Sequence, residues 1–246
     1  MRAMRQSLPS YLQLKKASLP PDTRVYCIGD IHGRADLLQE TCERIDDDLR
    51  RRPIRHAIEV YIGDYIDRGP DSKGVIDLLT VRLVRNQAVC LRGNHEALME
   101  YFLEDPEWLQ PWLKLGGLQT LVSYGVPTSV SAKAPDQRRS LVAALPRTHV
   151  LFLRCLRNSF RCGDFLFVHA GIRPNVPLWS QDPVDLLWIR DEFLNSNDDH
   201  GFFVVHGHTP VPHPDIRDNR INIDTGAWRT GTLTCIAIEG TKILVL

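Results

Sequence analysis

Carboxylates, imidazoles and one amide recur in five short segments rich in glycine: GDIHG at 29–33, GDYIDRG at 63–69, GNHE at 93–96, VHAG at 168–171 and GHT at 207–209. They supply Asp30 and His32, Asp64 and Asp67, Asn94 and His95, His169, and His208, with His206 just before the last. One such segment alone reads as a turn or a packed histidine. Five in series, each closing an apolar run, read as one shared metal site. The donors are oxygen and imidazole nitrogen without thiolate, which suits Mn, Fe or Zn better than Ca and disfavours a structural zinc site. The supply exceeds one ion's needs. Two divalent ions roughly 3.5–4 Å apart, sharing a carboxylate, would use it, and such pairs activate water and clamp phosphoryl oxygens.

The elements that must carry these residues are legible from periodicity. Apolar β-type runs lead into the polar clusters at 24–33, 57–69, 88–96, 164–171 and 202–210. Short, nearly continuous apolar runs predict strands buried on both faces. Between the first two, Leu37, Leu38, Cys42, Ile45 and Leu49 form a helical stripe, and Val75, Leu78, Leu79 and Leu83 form another after the second. Strand–helix–strand alternation predicts parallel pairing with right-handed crossovers. In open α/β sheets ligands bind at the carboxyl ends of strands, where the polar clusters fall. Residues 97–157 show broken helical patterns and no clear strand, so a helical insertion beside the sheet is expected. The segment from Arg220 to Leu246 reads as antiparallel strands with a turn at Glu239-Gly240. Residues 1–22 read as an N-terminal extension closed by Pro20-Pro21, and 23–246 as one domain.

Composition narrows the partners. Formal net charge is zero, so no strong field draws the 246-residue chain to nucleic acid or to a membrane. No apolar run approaches the roughly 20 residues that span a bilayer. The basic N-terminus lacks the apolar core of a signal peptide. Six cysteines stand singly without a C-x-x-C pair, which predicts reduced, buried thiols in a cytoplasmic protein. The tryptophans at 108, 112, 179, 188 and 228 read as core.

The series GDIHG, GDYIDRG, GNHE, VHAG and GHT resembles the signature motifs of the phosphoprotein phosphatase family, in that family's order and spacing. The chain is most similar to bacterial and phage serine/threonine protein phosphatases. The resemblance implies an α/β (α+β) calcineurin-like metallophosphoesterase fold, with two mixed β-sheets sandwiched between helices. It implies that Asp30, His32 and Asp64 hold one metal, and that Asp64 bridges to a second held by Asn94, His169 and His208. Mn²⁺ is the expected ion, with Fe or Zn as alternatives. His95 becomes the general acid with Asp67 as its orienting partner, and Arg68, Arg190 and Asn94 meet the substrate phosphate. Arg190 in LLWIRDEFL is the looser match and could instead end a helix begun near Asp182. Pro210 follows GHT where wider metallophosphoesterases place a further histidine, so His32 supplies that imidazole and His206 only supports the loop.

The implied activity is hydrolysis of phosphoserine or phosphothreonine in proteins or peptides, by direct in-line attack of a hydroxide shared between the metals. Symmetrical bis(5′-nucleosyl)-tetraphosphate hydrolases resemble the same series. They typically lack the second aspartate of the GDYIDRG motif and carry G-N-H-D, whereas this chain has Asp67 and Glu96. Glu96 also reads as a favourable helix start. A small-molecule phosphomonoesterase remains an alternative. A non-catalytic phosphoprotein-binding module would be expected to have lost a ligand or His95, and neither is missing. Asp224 in NIDTGA reads equally as a residue at the rim of the site or as an acceptor for loop amides.

Overall fold

The computed structural model describes residues 12–128 and 132–246. Of the expected N-terminal extension, residues 1–11 lie outside the described residues. The rest adds an edge strand, β1 (Leu12–Gln13), and buries Ala17 and Leu19.

From there the chain alternates. It runs through β2 (Thr23–Ile28), α1 (Ala35–Arg51), β3 (His56–Tyr61), α2 (Ser72–Arg85) and β4 (Ala88–Cys90). The strands β2, β3 and β4 pair in parallel, as the alternation predicts. Five helices follow: α3 (Asn94–Glu104), α4 (Leu109–Lys114), α5 (Gly117–Ser123), α6 (Ala134–Ala144) and α7 (Arg147–Arg154). They form the expected helical region, which begins at Asn94 and so carries two of the polar cluster residues in its first turn.

A second sheet then starts with β5 (Ser159–Cys162) and β6 (Phe165–Val168). The helices α8 (Pro183–Trp188) and α9 (Asp191–Leu194) lead to β7 (Phe203–His206), β8 (Asp215–Ile216) and β9 (Arg220–Asn222). The short α10 (Ala227–Thr230) returns the chain to the first sheet as β10 (Cys235–Glu239) and β11 (Lys242–Val245). The sheet orders are β1-β11-β10-β2-β3-β4 and β5-β6-β7-β9-β8.

The hairpin β10–β11 forms with Gly240 in its turn at positive φ. The tail nevertheless differs from expectation. Arg220–Asn222 does not join that hairpin but pairs in parallel with β7 in the second sheet. Partner choice is a non-local packing decision that a local pattern cannot encode.

The two sheets face one another across a core of Val25, Cys27, Val60, Ile62, Phe165, Phe167, Val205 and Ile221. Each such side chain contributes roughly 1.5–3 kcal/mol by leaving water. The opposite face of the first sheet packs on α1, α2 and the helical region through Tyr26, Ile28, Leu38, Ile45, Leu79, Phe102 and Trp112. The second sheet's outer face packs on α8 and α9 through Val204, Leu186 and Phe193. This is the expected arrangement of two mixed sheets between helices. No helix among the described residues is long and apolar enough to cross a membrane. Cys27, Cys42, Cys90 and Cys235 are buried free thiols, whereas Cys155 is exposed and Cys162 half-buried.

Candidate metal centre

The ends of β2, β3 and β4 in one sheet and of β6 and β7 in the other deliver all five clusters to one place. Asp30, His32, Asp64, Asp67, Asn94, His95, His169, His206 and His208 are all buried. Sharp turns bring them there. His32, Asp64, Asp67, Arg68 and His208 hold positive φ between 46° and 72°, a region that costs a non-glycine residue roughly 1–2 kcal/mol. Such outliers cluster at functional sites because the surrounding packing over-determines them. Gly93 is required by close approach: a Cβ there would collide with the Asp64 backbone nitrogen and carboxylate and lie 2.7 Å from Glu96 Oε2.

Asp64 is the hub. Its carboxylate accepts the His95 backbone N–H at 3.1 Å. His32 Nε2 lies 3.5 Å from it, His169 Nε2 3.4 Å and His95 Nε2 3.8 Å. Ligand atoms of His32, Asp64 and His95 lie within 4.8 Å of one another, and so do those of Asp64, His169 and His208. Asp64 is common to both groups. Asn94 Oδ1 sits between the second pair of imidazoles, 3.0 Å from His169 Nε2 and 2.9 Å from His208 Nδ1. Asp30 joins through its Oδ2, which accepts the His208 backbone N–H at 3.1 Å.

The ring nitrogens turned away from the centre are spoken for. His32 Nδ1 donates to the Ile66 carbonyl and His169 Nδ1 to the Ile62 carbonyl, each at 2.9 Å. These bonds select the tautomer that leaves Nε2 as a lone pair facing inward, as a metal-binding histidine requires. Burial pushes His32 well below the ordinary imidazole range, lowers His169 and takes His208 down to about 3. Neutral imidazoles can coordinate. Burial acts against the Asp64 anion, but His169, His95, His32 and His208 around it hold it well below the carboxylate range. Burial, with Asp224 and Asp64 nearby, pushes Asp30 well above that range. Asp30 Oδ1 is buried with no hydrogen-bond partner among the described residues. A buried carboxylate oxygen without a donor, beside inward-facing imidazole lone pairs, fits a divalent cation.

His95 behaves unlike its neighbours. Burial opposes its protonation, but the Asp64 and Asp67 carboxylates overcome that and raise it. Its Nδ1 donates to Asp67 Oδ2 at 2.7 Å. Although His95 lies within reach of a metal-ligand group, its Nδ1 is committed to Asp67, and the raised affinity is for a proton. Arg68 spans the first group, with one guanidinium nitrogen 3.1 Å from His32 Nε2 and the other 3.1 Å from His95 Nε2. On the other side Arg190 lies between α8 and α9, and its Nε donates to His208 Nε2 at 3.1 Å. The helix begun at Asp182 ends at Trp188, before Arg190. His206 stays behind the loop against Phe193, with Nδ1 3.2 Å from the Gly207 carbonyl.

Several residues have more to do here than the sequence implied. Glu96 is not only a helix start. Its carboxylate accepts the backbone N–H of Asp64, Tyr65 and Gly93 at 2.8–2.9 Å and of Ile66 at 3.3 Å, tying the GDYIDRG turn to α3. Burial, then the Asp64 charge, pushes it up to about 8 against those amides. A buried acid three residues into a helix that follows a Gly-Asn pair was the available signal. Asp224 takes the loop role, accepting the Gly226 amide at 2.8 Å, and its charge adds to the burial that raises Asp30. The tryptophans divide. Trp112 is core, Trp108 and Trp179 are exposed, and Trp228 lies 5.5 Å from the Arg68 guanidinium. Trp188 packs edge-on to His208 at 6.0 Å.

The chain also resembles known proteins. The family profile described as calcineurin-like phosphoesterase matches residues 23–229. The chain is 31% identical over 225 residues to serine/threonine-protein phosphatase 1 of Salmonella typhimurium, covering 87% of this chain and 92% of that protein. It is 25% identical over 228 residues to the asymmetrical bis(5′-nucleosyl)-tetraphosphatase PrpE of Halalkalibacterium halodurans, covering 85% and 87%. A crystal structure provisionally described as a diadenosine tetraphosphatase superposes with a TM-score of 0.61 at 22% identity, over 94% of this chain and 97% of that one.

Proposed function

This chain belongs to the calcineurin-like phosphoesterase family, and we propose that within it the protein hydrolyses phosphate monoesters of serine or threonine in proteins or peptides. The observation that carries this reading is the His95–Asp67 pair at 2.7 Å, buried beside the candidate metal centre. An alkoxide leaving group is a strong base and needs a proton as it departs. A phosphate leaving group, as in a dinucleoside polyphosphate, does not.

In this proposal Asp30, His32 and Asp64 hold one divalent cation, and Asp64, Asn94, His169 and His208 a second, with Mn²⁺ the expected ion and Fe or Zn alternatives. The pair would supply a water of lowered pKa and charge neutralisation for the phosphoryl oxygens. The chain's own residues do the rest. Arg68 leans on His32 Nε2 and Arg190 on His208 Nε2, both weaker acceptors than a phosphate, so both guanidiniums are available to the phosphoryl group. Asn94 provides an amide beside it. Water oxygen bonds to phosphorus and the ester P–O bond breaks. Its electron pair stays on the leaving oxygen, which takes the His95 Nε2 proton. The proton released by the attacking water restores His95 over the cycle. Asp67 holds Nδ1–H so that the acidic nitrogen points away from it and toward the centre.

A second reading, hydrolysis of dinucleoside tetraphosphates, is favoured by relatives that are tetraphosphatases, such as the Halalkalibacterium protein. Rates measured side by side on a phosphoserine peptide, diadenosine tetraphosphate and free phosphomonoesters separate the readings. A higher kcat/KM on the phosphopeptide is expected; preference for the dinucleotide replaces the first reading with the second. Chelation of divalent ions should abolish all three activities.

A further inference from the structure

The helical region places two donors on the carboxylate that orients His95. Trp112, on α4, donates its indole N–H to Asp67 Oδ2 at 2.8 Å. Thr120, on α5, donates its hydroxyl to Asp67 Oδ1 at 2.6 Å. With His95 on Oδ2, the carboxylate has three donors and cannot rotate without losing one. The backbone is held from the same side. Asp67 N–H lies 2.9 Å from Thr120 Oγ1 and 3.0 Å from Ser72 Oγ, and those hydroxyls are 2.9 Å apart. Arg68 N–H donates to the Gly116 carbonyl at 3.2 Å. Gly116, at φ +108°, turns the chain between α4 and α5, and a Cβ there would meet the Arg68 backbone at 2.8 Å. Asp67, Trp112 and Thr120 are fully buried, so water does not substitute for these donors. Asp67 and Arg68 are consecutive non-glycine residues at positive φ, a turn that needs support from outside itself.

We propose that Trp112 and Thr120 are positioning residues for proton transfer: the α4–α5 hairpin aims His95 by immobilising the Asp67 carboxylate. The helical region is then part of the site's machinery. This rests on the reading of His95 as the general acid. A group that merely fills the core would, when altered, lower stability or affect every substrate alike. A group that aims the acid should matter in proportion to the basicity of the leaving group.

The test compares kcat on a phosphoserine peptide, or glycerol 2-phosphate if only small esters are cleaved, with kcat on para-nitrophenyl phosphate, whose leaving group needs little protonation. Thr120→Val, Trp112→Phe, Thr120→Ser and His95→Asn are assayed with Mn²⁺, with thermal melting as a check on folding. Loss of a hydrogen bond to a charged group predicts about a tenfold fall on the alkyl ester for Thr120→Val and for Trp112→Phe. The fall on the aryl ester should be several times smaller, KM should change little, and Thr120→Ser should recover the rate. The two variants act on opposite oxygens of Asp67, so either one that folds decides. Equal losses on both substrates, or none, beside a leaving-group bias in His95→Asn overturn this proposal alone. An unbiased His95→Asn overturns it together with the acid reading.

Discussion

Two corners of one site are built in opposite ways. Around Asp67 and His95 the protein fills hydrogen-bonding positions itself: Asp67 has three donors on its carboxylate, and two hydroxyls face its backbone N–H. Around Asp30, Asp64, Asn94 and His169, acceptors face one another, and Asp30 Oδ1 has no hydrogen-bond partner among the described residues. A proton donor needs one orientation, which converging hydrogen bonds supply. In the proposed reading, groups that hold a cation need inward lone pairs kept free, and His32 and His169 are fixed from behind, through Nδ1. The contrast also divides the histidines: burial lowers His32, His169 and His208, while flanking carboxylates raise His95.

The largest expected effect breaks the cation-holding corner. Asp64→Asn should reduce kcat on the order of 10³-fold on every substrate, because the hub carboxylate loses charge and coordinating power at once. Bound Mn²⁺ measured after desalting should fall with it, and retained metal at full stoichiometry would contradict the role given to Asp64. Breaking the proton corner should look different. His95→Asn should keep its metal and lose about 10²-fold or more on phosphoserine peptides, with a smaller loss on para-nitrophenyl phosphate.

Glu96 joins the two corners, since it holds the backbone of the turn that carries both Asp64 and Asp67. Glu96→Gln sets an amide N–H₂ against backbone donors and should cost about 2 kcal/mol in urea unfolding, with equal losses across substrates. A leaving-group bias there would place Glu96 in the proton corner alone.

The smallest effect is expected away from the site, where Asp77 on α2 accepts from His149 of α7 at 2.8 Å and anchors the helical region. Burial alone would raise Asp77, but Lys73 and His149 hold it below the ordinary carboxylate value. A depressed folded-state pKa contributes stability above the unfolded value of about 4 that is lost as pH falls through the folded one. Asp77 itself is half exposed, though His149 is buried, so Asp77→Asn should cost under about 1 kcal/mol at pH 7. The difference from the parent should shrink below about pH 4, and a constant difference would mean a packing effect.

Much of the site was legible because its residues lie within a few positions of glycines that end apolar runs. Local periodicity predicts the strands, and strand ends in such sheets are where ligands bind. Arg190 and Asp224 were harder to place, since each also had a local reading, as a helix end and as a loop acceptor. Glu96 was visible but underestimated, because the amides it satisfies belong to a turn some thirty residues away. Trp112 carried no signal at all: a tryptophan in a broken helical pattern reads as core, and only its indole N–H distinguishes its task.

The sequence by itself determined the chemistry available here: oxygen and nitrogen donors, one histidine–carboxylate pair and one arginine on turns that close buried strands, with a second arginine farther along the chain. Tertiary structure alone decided which sheet receives Arg220–Asn222, which histidine is raised while the others are lowered, and that α4 and α5 reach back to hold Asp67. The reason is physical. Residue type and short-range periodicity are local properties of the chain, whereas strand partners, burial and hydrogen bonds depend on what segments distant in sequence bring to the same few ångströms.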